Sequence, residues 1–172
     1  MSQLEEQALE VLERLRNRFY GKYRGTVKAI DTDTLRIKAI VPAVLGQTPT
    51  GWCQPCVPYA GKNVGFLFLP EEGDFVWIEF EGGDPSYPIW SGCGWRVGEL
   101  PGDAAPKVRV IVTAAQSKVL FDDDGQTITI TDQNENALNL DSNGLTLDRS
   151  GKKLVVSDSE INIADGAFEV SG

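Results

Sequence analysis

The sequence contains no histidine. That absence removes Ser-His-Asp and Cys-His nucleophile pairs and every His-ligated zinc or iron centre, leaving carboxylate, lysine or thiol chemistry as the only routes to catalysis. Also missing is an uncharged apolar run of the roughly 18 residues that a membrane-spanning helix needs. The first turns carry Glu5, Glu6, Glu10 and Glu13 where a secretory signal would carry basic residues and an apolar stretch. Positive charge is scarce, 16 Lys and Arg against 25 Asp and Glu, and the formal net charge of −9 repels phosphate backbones and anionic lipid. The expectation is a soluble protein made in the cytoplasm, with no cofactor and no nucleic-acid partner. It is not expected to be an enzyme either, because the acids are scattered over turns rather than paired in a pocket.

What is present is 172 residues, 41% of them hydrophobic, enough for one ordinary domain or two small ones with a buried core. Ser2, followed three residues later by Glu5, forms a capping box. Leu4, Ala8, Val11, Leu12, Leu15 and Phe19 recur at helical spacing, and glutamates precede Arg14, Arg16 and Arg18, an order that complements the helix dipole. This predicts a helix over 1–19, ended by Gly21. Its apolar stripe fits packing on its own domain or docking on a neighbouring subunit, and the sequence leaves both open.

From Tyr20 the pattern changes to short alternating runs bounded by Gly, Pro and Asp, which predicts antiparallel strands near 23–30, 35–40, 64–69, 75–80 and 89–91, with a connection over 42–62 and no further helix. Five strands over 20–99 suit a small closed barrel, since closure removes exposed edges. Pro70 and the Gly73-Asp74 turn predict that strand 64–69 hands over to 75–80 as a hairpin. Val76, Ile78 and Phe80 share one face, and Phe75, Trp77 and Glu79 the other, with Trp77 either capping the barrel's own core or meeting a neighbouring protomer. Lys22, Arg24, Lys28, Arg36 and Lys38 read as a solvated strand face.

Cys53-Gln54-Pro55-Cys56 has the spacing of half a zinc ribbon and Cys93 could add a third thiolate, but a fourth ligand is missing. A redox dithiol would place its first cysteine at a helix N-terminus, whereas this pair lies in a Pro-rich loop. Reduced, half-buried thiols without metal are expected, with a disulfide open to a particle that reaches an oxidising exterior.

Leu100-Pro-Gly-Asp-Ala-Ala-Pro106 breaks the composition and predicts a linker over 100–116. Beyond it, over 117–172, aliphatics come in pairs one residue apart: Ile128/Ile130, Leu138/Leu140, Leu145/Leu147, Leu154/Val156, Ile161/Ile163 and Phe168/Val170, with starts seven to ten residues apart. That is one strand plus one turn per unit. Two inward aliphatics, each worth about 1.5–3 kcal/mol if fully buried, do not let such a strand hold its face out of water alone. Three identical chains wound about a three-fold axis with these twelve side chains inward would cover it; a monomeric solenoid or meander is the alternative. From Ser117 onward four basic residues face eleven acidic ones, a net −7. Asp122-Asp123-Asp124 offers oxygen ligands but no calcium-loop spacing follows it.

The run Gly65-Phe-Leu-Phe-Leu-Pro70-Glu-Glu-Gly73-Asp74-Phe-Val76-Trp-Ile78-Glu-Phe80-Glu-Gly-Gly83-Asp84-Pro85, then Tyr87-Pro88-Ile89 and Gly92, resembles the oligonucleotide/oligosaccharide-binding (OB) barrel of contractile-tail spikes. These are the phage baseplate assembly protein V family and the valine-glycine repeat proteins of type VI secretion. Gly25-Thr-Val27, Arg36-Ile37-Lys38 with Pro42, and Trp52 through Gly61 fall in matching order, so the resemblance covers roughly half the chain. It implies an all-β chain of N-terminal helix, OB barrel and C-terminal trimeric, intertwined β-helix prism, acting as a non-catalytic spike that pierces a target envelope within a phage tail, tailocin or type VI-like particle. It further implies a homotrimer contacting hub, tube and baseplate proteins, with Leu4, Val11, Leu12, Leu15 and Phe19 as the hub-docking stripe. Some spikes of this kind end in a histidine-ligated iron tip. With no histidine here, a separate tip protein is expected at the C-terminal end. The competing class is a trimeric tail fibre or receptor-binding β-helix, whose outward face should carry aromatic platforms, yet after Phe121 the tail holds only Phe168.

Overall fold

The computed structural model describes residues 3–164 and 167–171, which fall into two compact units, 1–98 and 99–172. Within the first, α1 spans Gln3–Arg16 with Glu5 and Glu6 in its first turn, where carboxylates favour the positive end of the helix dipole. Ser2 of the expected capping box lies outside the described residues. The helix does not run on to residue 19. Its last turns close with Asn17 N on Glu13 O at 3.2 Å and Arg18 N on Leu15 O at 3.3 Å, and the barrel then claims the chain. Phe19 N donates to Gly83 O at 2.8 Å, and Arg18 Nη1 donates to Gly82 O at 3.2 Å and to Asp84 Oδ2 at 3.3 Å. Gly83 sits at φ +77°, where an added Cβ would lie 3.1 Å from Phe19 N, so the close approach requires glycine.

The barrel sheet has the order β2-β1-β6-β7-β3, where β1 is Tyr23–Ile30, β2 Ile37–Ile40, β3 Gln54–Pro55, β6 Phe75–Phe80 and β7 Pro88–Cys93. It curls until its edges meet: Cys53, just before β3, bridges Ile37 of β2, with Cys53 N on Ile37 O at 2.8 Å. Period-2 alternation drives the curl. Val27, Ile37, Ala39, Val76, Ile78, Phe80 and Trp90 point inward and, with Val41 and Cys53, form the buried core. Tyr23, Phe19 and Leu69 pack against its rim.

Three expectations fail here. The segment 64–69 is not a barrel strand. Only β5 (Val64–Gly65) pairs, and only with β4 (Ala60–Gly61), because β6 already has β1 and β7 as neighbours and β3 takes the remaining edge of β7. No 64–69/75–80 hairpin therefore forms. The Gly73-Asp74 turn is held by β1 instead, through Gly73 N on Val27 O and Val27 N on Asp74 O, both 3.0 Å. The connection after β2 also contains a further helix, α2 (Pro42–Leu45), with proline in its first turn where a missing N–H costs nothing.

The second unit is one eight-stranded antiparallel meander in strict sequence order: β8 Val108–Val112, β9 Lys118–Asp122, β10 Thr127–Thr131, β11 Ala137–Asp141, β12 Gly144–Arg149, β13 Lys152–Val156, β14 Glu160–Ile163 and β15 Phe168–Ser171. The expected linker 100–116 contains β8, because Val108, Val110 and Val112 alternate as a strand must. Side-chain oxygens fix the turns. Asp122 accepts from the amides of Asp124 and Gly125, Asp132 from those of Asn134 and Asn136, Asp141 from Asn143, Asp148 from Gly151, and Ser157 from Ser159 and Glu160.

Candidate functional site

Register in the meander determines which side chains meet. Ile130 pairs with Leu138, Leu138 with Leu147, Leu147 with Leu154, Leu154 with Ile163 and Ile163 with Phe168. A parallel column runs Ile128, Leu140, Leu145, Val156, Ile161 and Val170. Because directly opposed residues share a face, eleven of the twelve expected core residues, Ile128 through Phe168, stand on one side of the sheet; the side chain of the twelfth, Val170, lies outside the described residues. The same columns continue through Val119 and Phe121 of β9 and Ile111 of β8, which the pairwise reading of the sequence missed. Their signal was present in Val108-Arg-Val-Ile-Val112, hidden by the proline-rich lead-in, and in Lys118-Val-Leu-Phe-Asp122, which precedes the first aliphatic pair.

This face is uncovered in the single chain. Leu147 is 46% exposed, Ile130 43% and Phe121 42%, and among the described residues from 99 onward none is buried. The opposite face carries a polar ladder, with Thr129 Oγ1 donating to Asn139 Oδ1 at 3.0 Å and Asn139 Nδ2 donating to Asp141 Oδ2 at 2.9 Å. Between β10 and β12 this face is polar, while Val110 of β8, Leu120 of β9 and Val155 of β13 also stand on it.

The helix is the second uncovered surface. Leu4, Val11, Leu12 and Leu15 are all more than half exposed. Phe19 is different: it lies past the helix and its ring packs edge-on against Tyr23 and Phe80, with centroids 6.2 and 6.4 Å away, on the barrel core. The docking stripe expected from the sequence therefore loses Phe19.

On the outer face of the barrel Trp77 stacks edge-on against Phe75, ring centroids 5.0 Å apart, and the Arg24 guanidinium carbon lies 5.6 Å from the Trp77 ring. Trp77 belongs to this outer aromatic group and not to the buried cluster. Lys38 covers Trp52 in the same manner at 4.7 Å. The thiols stand apart from one another in kind. Cys53 is buried at the closure of the barrel, 3.3 Å from Thr50 Oγ1, and burial pushes its thiol above the ordinary value, whereas Cys56 and Cys93 are exposed; all three are free. Among the described residues no group of three or more His, Cys, Asp or Glu is placed to hold a metal ion, and no helix is long and apolar enough to cross a membrane.

No curated protein matches the chain. A family model described as the type VI secretion system/phage-baseplate injector OB domain matches residues 23–95. That span starts at the first residue of β1 and ends just beyond β7, so it coincides with the curled sheet closed by Cys53 and Ile37. Over residues 23–95 the chain is thus similar to the injector OB domains of type VI secretion systems and phage baseplates.

Proposed function

We propose that this chain is the central spike of a contractile injection machine, three copies of which pierce a target envelope mechanically. The observation that carries the reading is the pair of apolar columns running from β9 to β15 on one face of a sheet in which no described residue is buried, one column continuing to Ile111 of β8 and the other ending there at Arg109. Columns two residues apart along a strand form a stripe only about 7 Å wide. Three such stripes closing a triangle fill its interior with six aliphatics per layer, whereas a two-layer sandwich is favoured by strands with more inward positions. Each side chain so buried gains about 1.5–3 kcal/mol, and repetition along the axis makes a stiff prism. The polar ladder and the acidic turns then face water, keeping spikes from adhering to one another.

In this reading the helix supplies attachment. Leu4, Val11, Leu12 and Leu15 dock on a hub or tube protein of the baseplate, as an amphipathic helix lays its apolar face in a groove. The barrels form a collar below the tube, a separate tip protein caps the distal end, and contact with the envelope is transient. The test is localisation in assembled particles. Antibody against the 117–172 sheet should label the distal tip of the tail tube, about three copies per particle by quantitative mass spectrometry. Label along the sheath, or at the ends of side fibres, would replace this reading with that of a receptor-binding fibre.

A further inference from the structure

A trimer related by a rotation axis joins two different patches of each protomer, because the contact runs head to tail around the ring. The barrel displays two apolar patches that its own chain leaves open, one convex and one concave. The convex one is the arm built by β4 and β5. Phe66 N donates to Tyr59 O at 2.8 Å and closes a two-residue hairpin whose turn places Asn63 at φ +62°. Tyr59, Val64, Phe66, Leu67 and Phe68 on this arm are each about half exposed, and the Phe66 and Phe68 rings lie 4.7 Å apart. From Cys56 to Pro70 the only charged residue is Lys62. Five large apolar side chains in one excursion exceed what a surface loop leaves in water without a partner.

The concave patch is a notch of about 430 Å³ lined by Arg24, Phe75, Trp95, Arg96 and Val97. Its floor is aromatic and its walls are guanidinium. The Arg24 carbon lies 5.9 Å from the Phe75 centroid, and Arg96 Nη2 is fixed by Thr26 Oγ1 at 3.2 Å and Gly73 O at 3.1 Å. Trp95 is 65% exposed. Guanidiniums beside an apolar floor suit the electron-rich faces of incoming aromatic rings, and the arm brings three such rings with no carboxylate.

We propose that the Tyr59–Phe68 arm of each barrel inserts into the Arg24/Phe75/Trp95 notch of the next copy, closing the ring at the barrel level. The inference rests on the trimeric reading above and adds the pair of surfaces that join the barrels. It is tested on the full chain carrying the photoreactive benzoylphenylalanine in place of Phe66, with sedimentation velocity run on the same preparation. The expected result is a trimer that, on irradiation, gives covalent dimers on a denaturing gel, with the cross-link on the peptide containing Trp95. Arg24→Glu should lower that yield at least fivefold while the sedimentation coefficient stays the same. A trimer that cross-links within one chain, elsewhere or not at all overturns the arm-and-notch pairing and leaves the trimer standing. A monomer overturns both.

Discussion

Leu140 stands directly opposite Leu145 across the β11–β12 pair, at the middle of the sheet's aliphatic face. Its neighbours in the same column are Ile128 on one side and, through Leu145, Val156 on the other. The consequence is testable by charge. Leu145→Asp with Leu147→Asp puts two carboxylates per chain on that face, and in a closed prism six of them meet at the axis without cations. Burial of an unpaired carboxylate costs several kcal/mol by general experience with buried ions. The double variant should sediment as a monomer. A heat-resistant trimer would show that the face does not point inward.

Thr50 is the buried polar residue of the barrel, and it bridges two segments: Ala39 N donates to its Oγ1 at 3.0 Å while its own N donates to Ala39 O at 2.9 Å. Thr50→Val keeps the shape and orphans the Ala39 amide. The expected loss is about 1–3 kcal/mol in urea unfolding followed by tryptophan fluorescence. Cys56→Ser and Cys93→Ser, at exposed positions, should change stability by less than about 0.5 kcal/mol. A larger effect for either exposed cysteine would reveal a role for its thiol in the fold.

Much of the barrel was legible in the sequence because alternation is a local signal. Val76, Ile78 and Phe80 announce β6 and its inward face without reference to anything else in the chain. What could not be read locally was which edge each segment meets. Phe66-Leu-Phe-Leu69 has every mark of a strand, yet the sheet positions beside β6 are taken, and Phe66, Leu67 and Phe68 end on an exposed arm while Leu69 packs on the core. Phe19 likewise fits the helical spacing, but Gly83 O captures its amide and the core captures its ring. The aliphatic columns were legible from Ile128 onward; Ile111 was lost because the prolines before it read as a linker, and Val119 and Phe121 because they lie in the repeat segment ahead of the first aliphatic pair.

Asp132 accepts from the amides of Asn134 and Asn136 and from both side-chain amides, and these hydrogen bonds, that of the Asn136 side chain foremost, lower its pKa to about 2. A carboxyl depressed in the folded state contributes stability that is complete above its unfolded value near 3.8 and is lost as pH falls through about 2. Protection of the Asn134 and Asn136 amides, measured as exchange relative to the intrinsic rate at each pH, should therefore fall between pH 4 and pH 2. In Asp132→Ala protection should be low throughout, with no such fall. An unchanged profile in the variant would assign the turn's order to the backbone alone.

Deleting residues 2–16 should leave the barrel intact, since none of the described side chains of α1 belongs to the buried cluster. The truncated chain should stay soluble, keep its tryptophan emission and fail to enter particles. Aggregation would show instead that the stripe covers the protein's own surface, and particles that assemble with the truncated spike in place would reject docking by the helix.

In the proposed spike the aliphatic face of the meander is closed by two further copies of the same chain. Sedimentation equilibrium of the purified full-length protein measures this most directly. A closed prism gives a single species of three times the 18.8 kDa chain mass that persists on dilution to nanomolar concentration. A species of 18.8 kDa at micromolar concentration would contradict it.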